Sequence, residues 1–293
     1  MPTSDGLRRQ TSPARRLERR VARIRLVHPF PSGLLALIVG ALAAIAGAQP
    51  LVAARLGLAM LAIQFAIGTA NDVVDASSDA LGQPWKAIPA GYVSKRTAAV
   101  MAGLLAMVGL CLSALAGPAA LIVGAAGLGL GMAYDLRLKL TPLAWLVYAL
   151  ALPLVPAYAW LGARKQLPPR FRVLAPMAFL AGGVLAIGNA TADVGPDDLA
   201  GRPTAAGRLE GRAATVIVAA GTAIVFTAAA ATFGRSGTAR ATRLGLAIGA
   251  AACGLGILSS TRPTTSLRRL GWACQTLGFA ALAAGWLAGQ AQD

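Results

Sequence analysis

Long apolar runs separated by short polar stretches dominate this chain. Bounded by Pro, Gly or charge, nine such runs lie near residues 33–48, 51–71, 97–116, 118–134, 142–162, 173–192, 213–232, 242–260 and 270–288. Runs of this length and apolarity read as membrane-spanning helices. Several fall short of the roughly 20 residues of a full span. Small-residue sequence such as Gly124 to Gly131 still suits a helix packed closely inside a bundle. The first run ends in Ala46-Gly47-Ala48 and reads as an uncleaved first span. The pattern therefore predicts an all-α fold, a polytopic membrane bundle of about nine transmembrane helices over residues 28–290. A polar tail over residues 1–27 precedes it.

Composition agrees. Hydrophobic residues make up 56% of the 293-residue chain and charged residues only 13%, against about 25% charged in soluble domains. The net charge of +16 does not point to nucleic acid, because no basic patch is interleaved with aromatics. Arginine flanking apolar spans has a simpler cause in topology and anionic lipid. Cys111, Cys253 and Cys274 all fall inside apolar runs without metal-ligand spacing, so they read as small packing residues. His28 is the single histidine, which excludes a multi-histidine metal centre; beside Pro29 it reads as an interfacial residue.

Basic residues set the expected topology. The tail holds eight arginines, and with its end placed in the cytoplasm 19 Lys and Arg fall on that side against 8 on the other. This asymmetry predicts a multi-pass protein of the cell membrane, with a cytoplasmic N-terminus and the C-terminus opposite. Spans one to four and five to eight then read as two four-helix pseudo-repeats around a central cavity, with span nine extra. An even number of spans per repeat makes the repeats parallel.

Against this background the acidic residues stand out. The chain has only 11, yet Asp72, Asp75 and Asp79 follow Asn71 within eight positions at the end of the second run. The same spacing recurs 118 residues later, where Asn189, Asp193 and Asp197 match Asn71, Asp75 and Asp79. On a continuing helix Asp72, Asp75 and Asp79 share one face. Carboxylates so placed repel unless a cation neutralises them. Hard oxygen donors suit Mg²⁺, which takes one or two carboxylates and completes its shell with water and phosphate. The expected metal ligands are Asp72, Asp75, Asp79, Asp193 and Asp197, with Asp72, Asp75, Asp193 and Asp197 as the catalytic set. The two clusters, opposed across the cavity, would hold Mg²⁺ against a diphosphate. Lys86, Lys139 and Arg202 lie near enough to contact phosphate oxygens. Asn71 and Tyr134 complete the expected substrate-binding set.

At these residues the chain resembles the UbiA superfamily of intramembrane prenyltransferases. Asn71, Asp72, Asp75 and Asp79 match its N-D-x-x-D-x-x-x-D motif, and Asp193 and Asp197 match its D-x-x-x-D motif. Gly201-Arg202-Pro203-Thr204 is similar to its G-x-x-T segment. The loop from Lys86 to Ser94 is similar to its R-P-[IL]-P-S-G-x-[IV]-S, with Ala87, Ala90 and Tyr92 replacing the usual Pro, Ser and Arg. Tyr134, Lys139, Thr141 and Pro142 follow its Y-x-x-x-x-K-x-T-P pattern. The resemblance covers roughly residues 25–290. It implies two Mg²⁺ ions bridging an isoprenyl diphosphate to the two aspartate motifs. It further implies ionisation to an allylic carbocation and capture by an acceptor in the membrane. The acceptor is left open, as is a cyclase that ionises the same diphosphate. From another class, a secondary transporter shares the features of repeats and intramembrane carboxylates; its sites, however, lie near mid-membrane, not at span ends beside basic loops.

Overall fold

The computed structural model describes residues 13–192, 211–233, 239–262 and 264–290, and among them it is all helical. Ten helices follow in order: α1 Pro13–Arg25, α2 Pro29–Ile45, α3 Pro50–Gly82, α4 Lys95–Leu115, α5 Pro118–Ala133, α6 Ala144–Arg164, α7 Phe171–Ala192, α8 Gly211–Thr232, α9 Ala239–Ser260 and α10 Thr265–Gln290. Eight of them, α3 to α10, are long and apolar enough to cross a membrane. The 17-residue α2 becomes a ninth when taken with α1, to which it is joined at a 45° bend. The chain is a multi-pass membrane protein.

Prolines start α2, α3 and α5 at the first turn, where the missing N–H costs no hydrogen bond. Neighbouring helices pack in sequence around a ring, and α2 meets α10 to close it. The core is largely alanine, with Val39, Leu56, Tyr158, Trp286 and Leu287 as its bulkier members. In lipid no hydrophobic force draws helices together, so packing and interhelical hydrogen bonds do it. Tyr158 Oη and Ser113 Oγ lie 2.7 Å apart, and Ser113 Oγ donates to Gly109 O at 2.7 Å.

The main departure from the expected spans concerns α3. The sequence pattern ends the second run at residue 71; the helix continues to Gly82. Asn71, Asp72, Asp75 and Asp79 are therefore helical residues with fixed directions. The continuation is stable because all three aspartates are buried against cationic partners described below.

At the opposite end of the bundle, three cations close helix C-termini. Arg164 Nε donates to Ala46 O after α2, and Lys165 Nζ to Ala116 O after α4. Arg170 Nη1 donates to Thr232 O at the end of α8, at 2.7 Å. These carbonyls have no partner within their own helices, and the helix dipole favours positive charge there. Three of the basic residues counted on this side thus act as caps.

Candidate active site

Two lysines converge on the acidic face of α3. Lys86 Nζ donates to Asp72 Oδ1 at 3.0 Å and to Asp79 Oδ2 at 2.8 Å. Lys139 Nζ donates to Asp75 Oδ1 at 2.6 Å and to Asn71 Oδ1 at 3.1 Å. Of the residues expected for substrate or metal, Asn71, Asp72, Asp75, Asp79, Lys86 and Lys139 are brought together. The expected Asp193, Asp197 and Arg202 lie outside the described residues.

Each lysine is aimed by local structure. Lys86 sits in the loop between α3 and α4, which folds on its own backbone. Ala90 N donates to Lys86 O, and Ala87 O accepts from both Tyr92 N and Val93 N. Gly91 takes φ +71, where a side chain would be strained. Ala87 is buried with Ala22, Leu26 and Ala98, so the end of α1 braces this loop from outside. Arg23 Nη2 adds a bond to Tyr92 O at 3.3 Å. The small Ala87 is what this packing accommodates. Lys139 is aimed differently: α5 ends in a π turn over Tyr134–Leu138, closed by Lys139 N donating to Tyr134 O. A π turn shifts the residues that follow it around the helix, and here it turns Lys139 back towards α3.

Burial pulls the Lys86 ammonium towards a lower pKa, but the Asp72 and Asp79 carboxylates outweigh it, and the pKa lies above the ordinary lysine value. The cation is thus held charged by its partners. Replacing Lys86 with Met leaves two buried carboxylates without that cation. The expected outcome is a loss of about 3 kcal/mol of stability, the size found when one partner of a buried pair is removed. Thermal unfolding in detergent measures it.

Two members of the site escaped sequence reading. His28, expected only to be interfacial, places Nε2 3.2 Å from Asp72 Oδ1. It takes φ +51 at the α1–α2 bend, and its ring lies against Gly68, where a Cβ would meet imidazole carbons at 3.1 Å. The glycine one turn before Asp72 was the available signal. Tyr148 is the other. Its ring packs edge-on against Tyr134 at 5.6 Å, and Asn189 Nδ2 donates to its hydroxyl at 3.3 Å. Tyr134, expected to bind substrate, thus meets Tyr148 through a ring contact.

Asp135 belongs to the same cluster. It is 4% exposed, and its Oδ2 has no hydrogen-bond partner among the described residues. Its carboxyl lies within electrostatic reach of Lys139, Asp75, His28 and Asp72. The cluster thus offers hard carboxylate oxygens, one of them an orphan. Among the described residues, no group of three or more Asp, Glu, His or Cys side chains is placed to hold a metal ion by itself, so any ion here would need further oxygens from substrate or water. That donor set fits Mg²⁺, which prefers one or two carboxylates shared with phosphate oxygens to an all-protein shell.

Between α2, α6, α7, α8 and α10 lies a partly open apolar cavity of about 110 Å³. Leu152 and Leu185 line it, each one turn from Tyr148 and Asn189 respectively. The lining is almost wholly aliphatic and aromatic. The bundle thus holds both a charged cluster and an apolar cavity, features that suit a molecule anionic at one end and hydrocarbon at the other. Comparison with known proteins agrees with this character. The chain belongs to the UbiA prenyltransferase family, whose profile matches residues 33–269; prenyl transfer is its general reaction. Its fold is similar to that of digeranylgeranylglyceryl phosphate synthase, at 13% identity and a TM-score of 0.64, over 94% of this chain and 100% of that one. A UbiA homologue from Archaeoglobus fulgidus, solved bound to GPP and Mg²⁺, is 17% identical with a TM-score of 0.59, over 89% of this chain and 99% of that one. An apo UbiA homologue from Aeropyrum pernix K1 is 17% identical with a TM-score of 0.67, over 86% and 96% respectively. No curated protein sequence matches the chain.

Proposed function

We propose that the protein transfers a prenyl group from an isoprenyl diphosphate to an acceptor within the membrane, with Mg²⁺ as cofactor. The carrying observation is the buried Asp72–Asp75–Asp79 face at the end of α3, with Lys86 and Lys139 held against it. The Archaeoglobus homologue solved with GPP and Mg²⁺ supports the donor and the metal by analogy. Bound Mg²⁺ would offset the charge of the diphosphate and make it a better leaving group. Asp72, Asp75 and Asp79, with Asp193 and Asp197 of the second motif, are the residues that would hold it.

The chain's own groups do the rest. Lys86 and Lys139 turn from carboxylate oxygens to phosphate oxygens as the diphosphate arrives. Asn71 and Tyr134 offer hydrogen bonds to the same oxygens, and Arg202 adds a further cation. The apolar walls exclude water and hold the hydrocarbon in line. The C1–O bond breaks with its electron pair leaving on the diphosphate, and the allylic carbocation is captured by an electron-rich atom of the acceptor. That acceptor then loses a proton. In this reading residues 1–27 are a cytoplasmic tail, residues 28–290 form the membrane domain, and the C-terminus lies on the opposite side.

Chelation tests the metal. EDTA is expected to stop diphosphate release by the purified protein, and Mg²⁺ in excess to restore it. Turnover that continues in EDTA would remove the metal from the mechanism.

A further inference from the structure

We infer that α1 is a membrane-surface helix that docks on an anionic lipid leaflet and, so seated, braces the loop that carries Lys86. The inference stands apart from the diphosphate reading of the acidic cluster. Six of the 13 residues of α1 are arginine, too many for it to enter the hydrocarbon of a bilayer. Yet it also carries an apolar stripe. Leu17, Val21 and Ile24 recur at i, i+4 and i+7 and so share one face. Leu17 is 64% and Ile24 60% exposed. At about 3.6 residues per turn this stripe lies nearly opposite Ala22 and Leu26, which are buried against the bundle. Arg20 and Arg25, both exposed, flank the stripe on either side. Glu18, the single acid of α1, falls one turn before Ala22, towards the bundle.

An apolar stripe bordered by arginines is the pattern of a helix lying in the headgroup layer. Leu17 and Ile24 reach the acyl boundary while the guanidinium groups stay among lipid phosphates. Position favours lipid over a protein partner here. Only Leu26, Val27 and His28 separate α1 from α2, and the 45° bend between them turns α1 off the axis of that helix. Phe30 and Leu37, on one face of α2, are exposed as well, so lipid-facing surface begins directly past the bend. The opposite face of α1 touches the loop of the site. Ala22 and Leu26 pack on Ala87, with Tyr92 and Val93 alongside, and Arg23 Nη2 donates to Tyr92 O at 3.3 Å. A leaflet that holds α1 in place therefore holds Ala87. With it are held the backbone bonds from Ala90 N to Lys86 O and from Tyr92 N and Val93 N to Ala87 O.

The experiment places the purified full chain in nanodiscs of phosphatidylcholine alone and in nanodiscs with about a third phosphatidylglycerol, and measures amide hydrogen exchange. Exchange at residues 17–26 is expected to be about tenfold slower in the anionic discs, with slowing also at Ala90, Tyr92 and Val93. Arg20→Gln combined with Arg25→Gln should abolish that difference. Leu17→Ser combined with Ile24→Ser should shrink it. A mere loss of helix stability would speed exchange in both kinds of disc and leave their ratio unchanged. Equal exchange in the two discs, or a ratio that survives in the double arginine variant, would overturn the docking. Protection that follows the number of protein copies per disc instead of the lipid would place a second copy on this face and overturn it too. Slowing confined to α1 would overturn the brace on the Lys86 loop.

Discussion

Asp75→Asn is expected to lower kcat/KM for diphosphate release from a prenyl diphosphate by at least about 10³-fold. The substitution keeps the size of the side chain and removes its charge. Asp75 is the carboxylate closest to Lys139, at 2.6 Å, and sits in the middle of the α3 acidic face. With Asn in its place, Lys139 keeps the amide oxygens of positions 71 and 75 and the nearby Asp135 carboxyl, and the face loses its central hard anionic donor. A purely structural role for Asp75 would predict equal losses from Asp75→Asn and Lys139→Met, both tracking stability. A ligand role predicts that Asp75→Asn keeps most of its thermal stability and loses its turnover. Assaying both variants for diphosphate release and for thermal unfolding separates the two. Near-normal turnover by Asp75→Asn would remove this residue from the site.

The second large effect is on the fold. Gly182→Val is expected to lower the unfolding temperature by about 10 °C, the result of an overpacked contact costing about 3 kcal/mol. A Cβ at Gly182 would fall 2.7 Å from Ala149 Cα and nearer still to the Tyr148 carbonyl oxygen. Both are backbone atoms of α6, so no side chain can give way and the helices must separate. Separation of α6 from α7 would also pull Tyr148 from Asn189. Gly183→Ala is the matched control. Its Cβ would meet only Trp145 ring carbons at 3.6 Å or more, and its stability should stay within about 2 °C of wild type. Equal effects at the two neighbouring positions would show that the close approach of α6 and α7 does not govern stability.

Chemistry was far more legible in the sequence than geometry. Asn71, Asp72, Asp75 and Asp79 are conspicuous because a membrane chain spends few carboxylates, and their spacing alone placed them on one helical face. Lys86 and Lys139 were found as basic residues near that cluster, with phosphate as their expected partner. What the sequence did not show is that the lysines hold the carboxylates themselves, Lys86 spanning Asp72 and Asp79 while Lys139 spans Asp75 and Asn71. Those pairings span up to 68 residues of sequence, and no local pattern encodes them. His28 is clearer still. By composition it is a lone histidine beside a proline, and only the bend between α1 and α2 turns it towards Asp72.

The sequence by itself determined the class of the fold. Apolar runs must become helices in lipid, because no other open structure satisfies its own backbone there. It also marked Asp72, Asp75 and Asp79 as sharing one helical face at the end of an apolar run. The tertiary structure decided how far α3 continues, which cation meets which carboxylate, and where the apolar cavity stops. These depend on contacts between residues far apart in the chain: the π turn that aims Lys139, the Ala87 loop held by α1, and the Arg170–Thr232–Trp286 contacts at the end of α8. Hydropathy is a sum over neighbours in sequence, whereas the site is a property of neighbours in space.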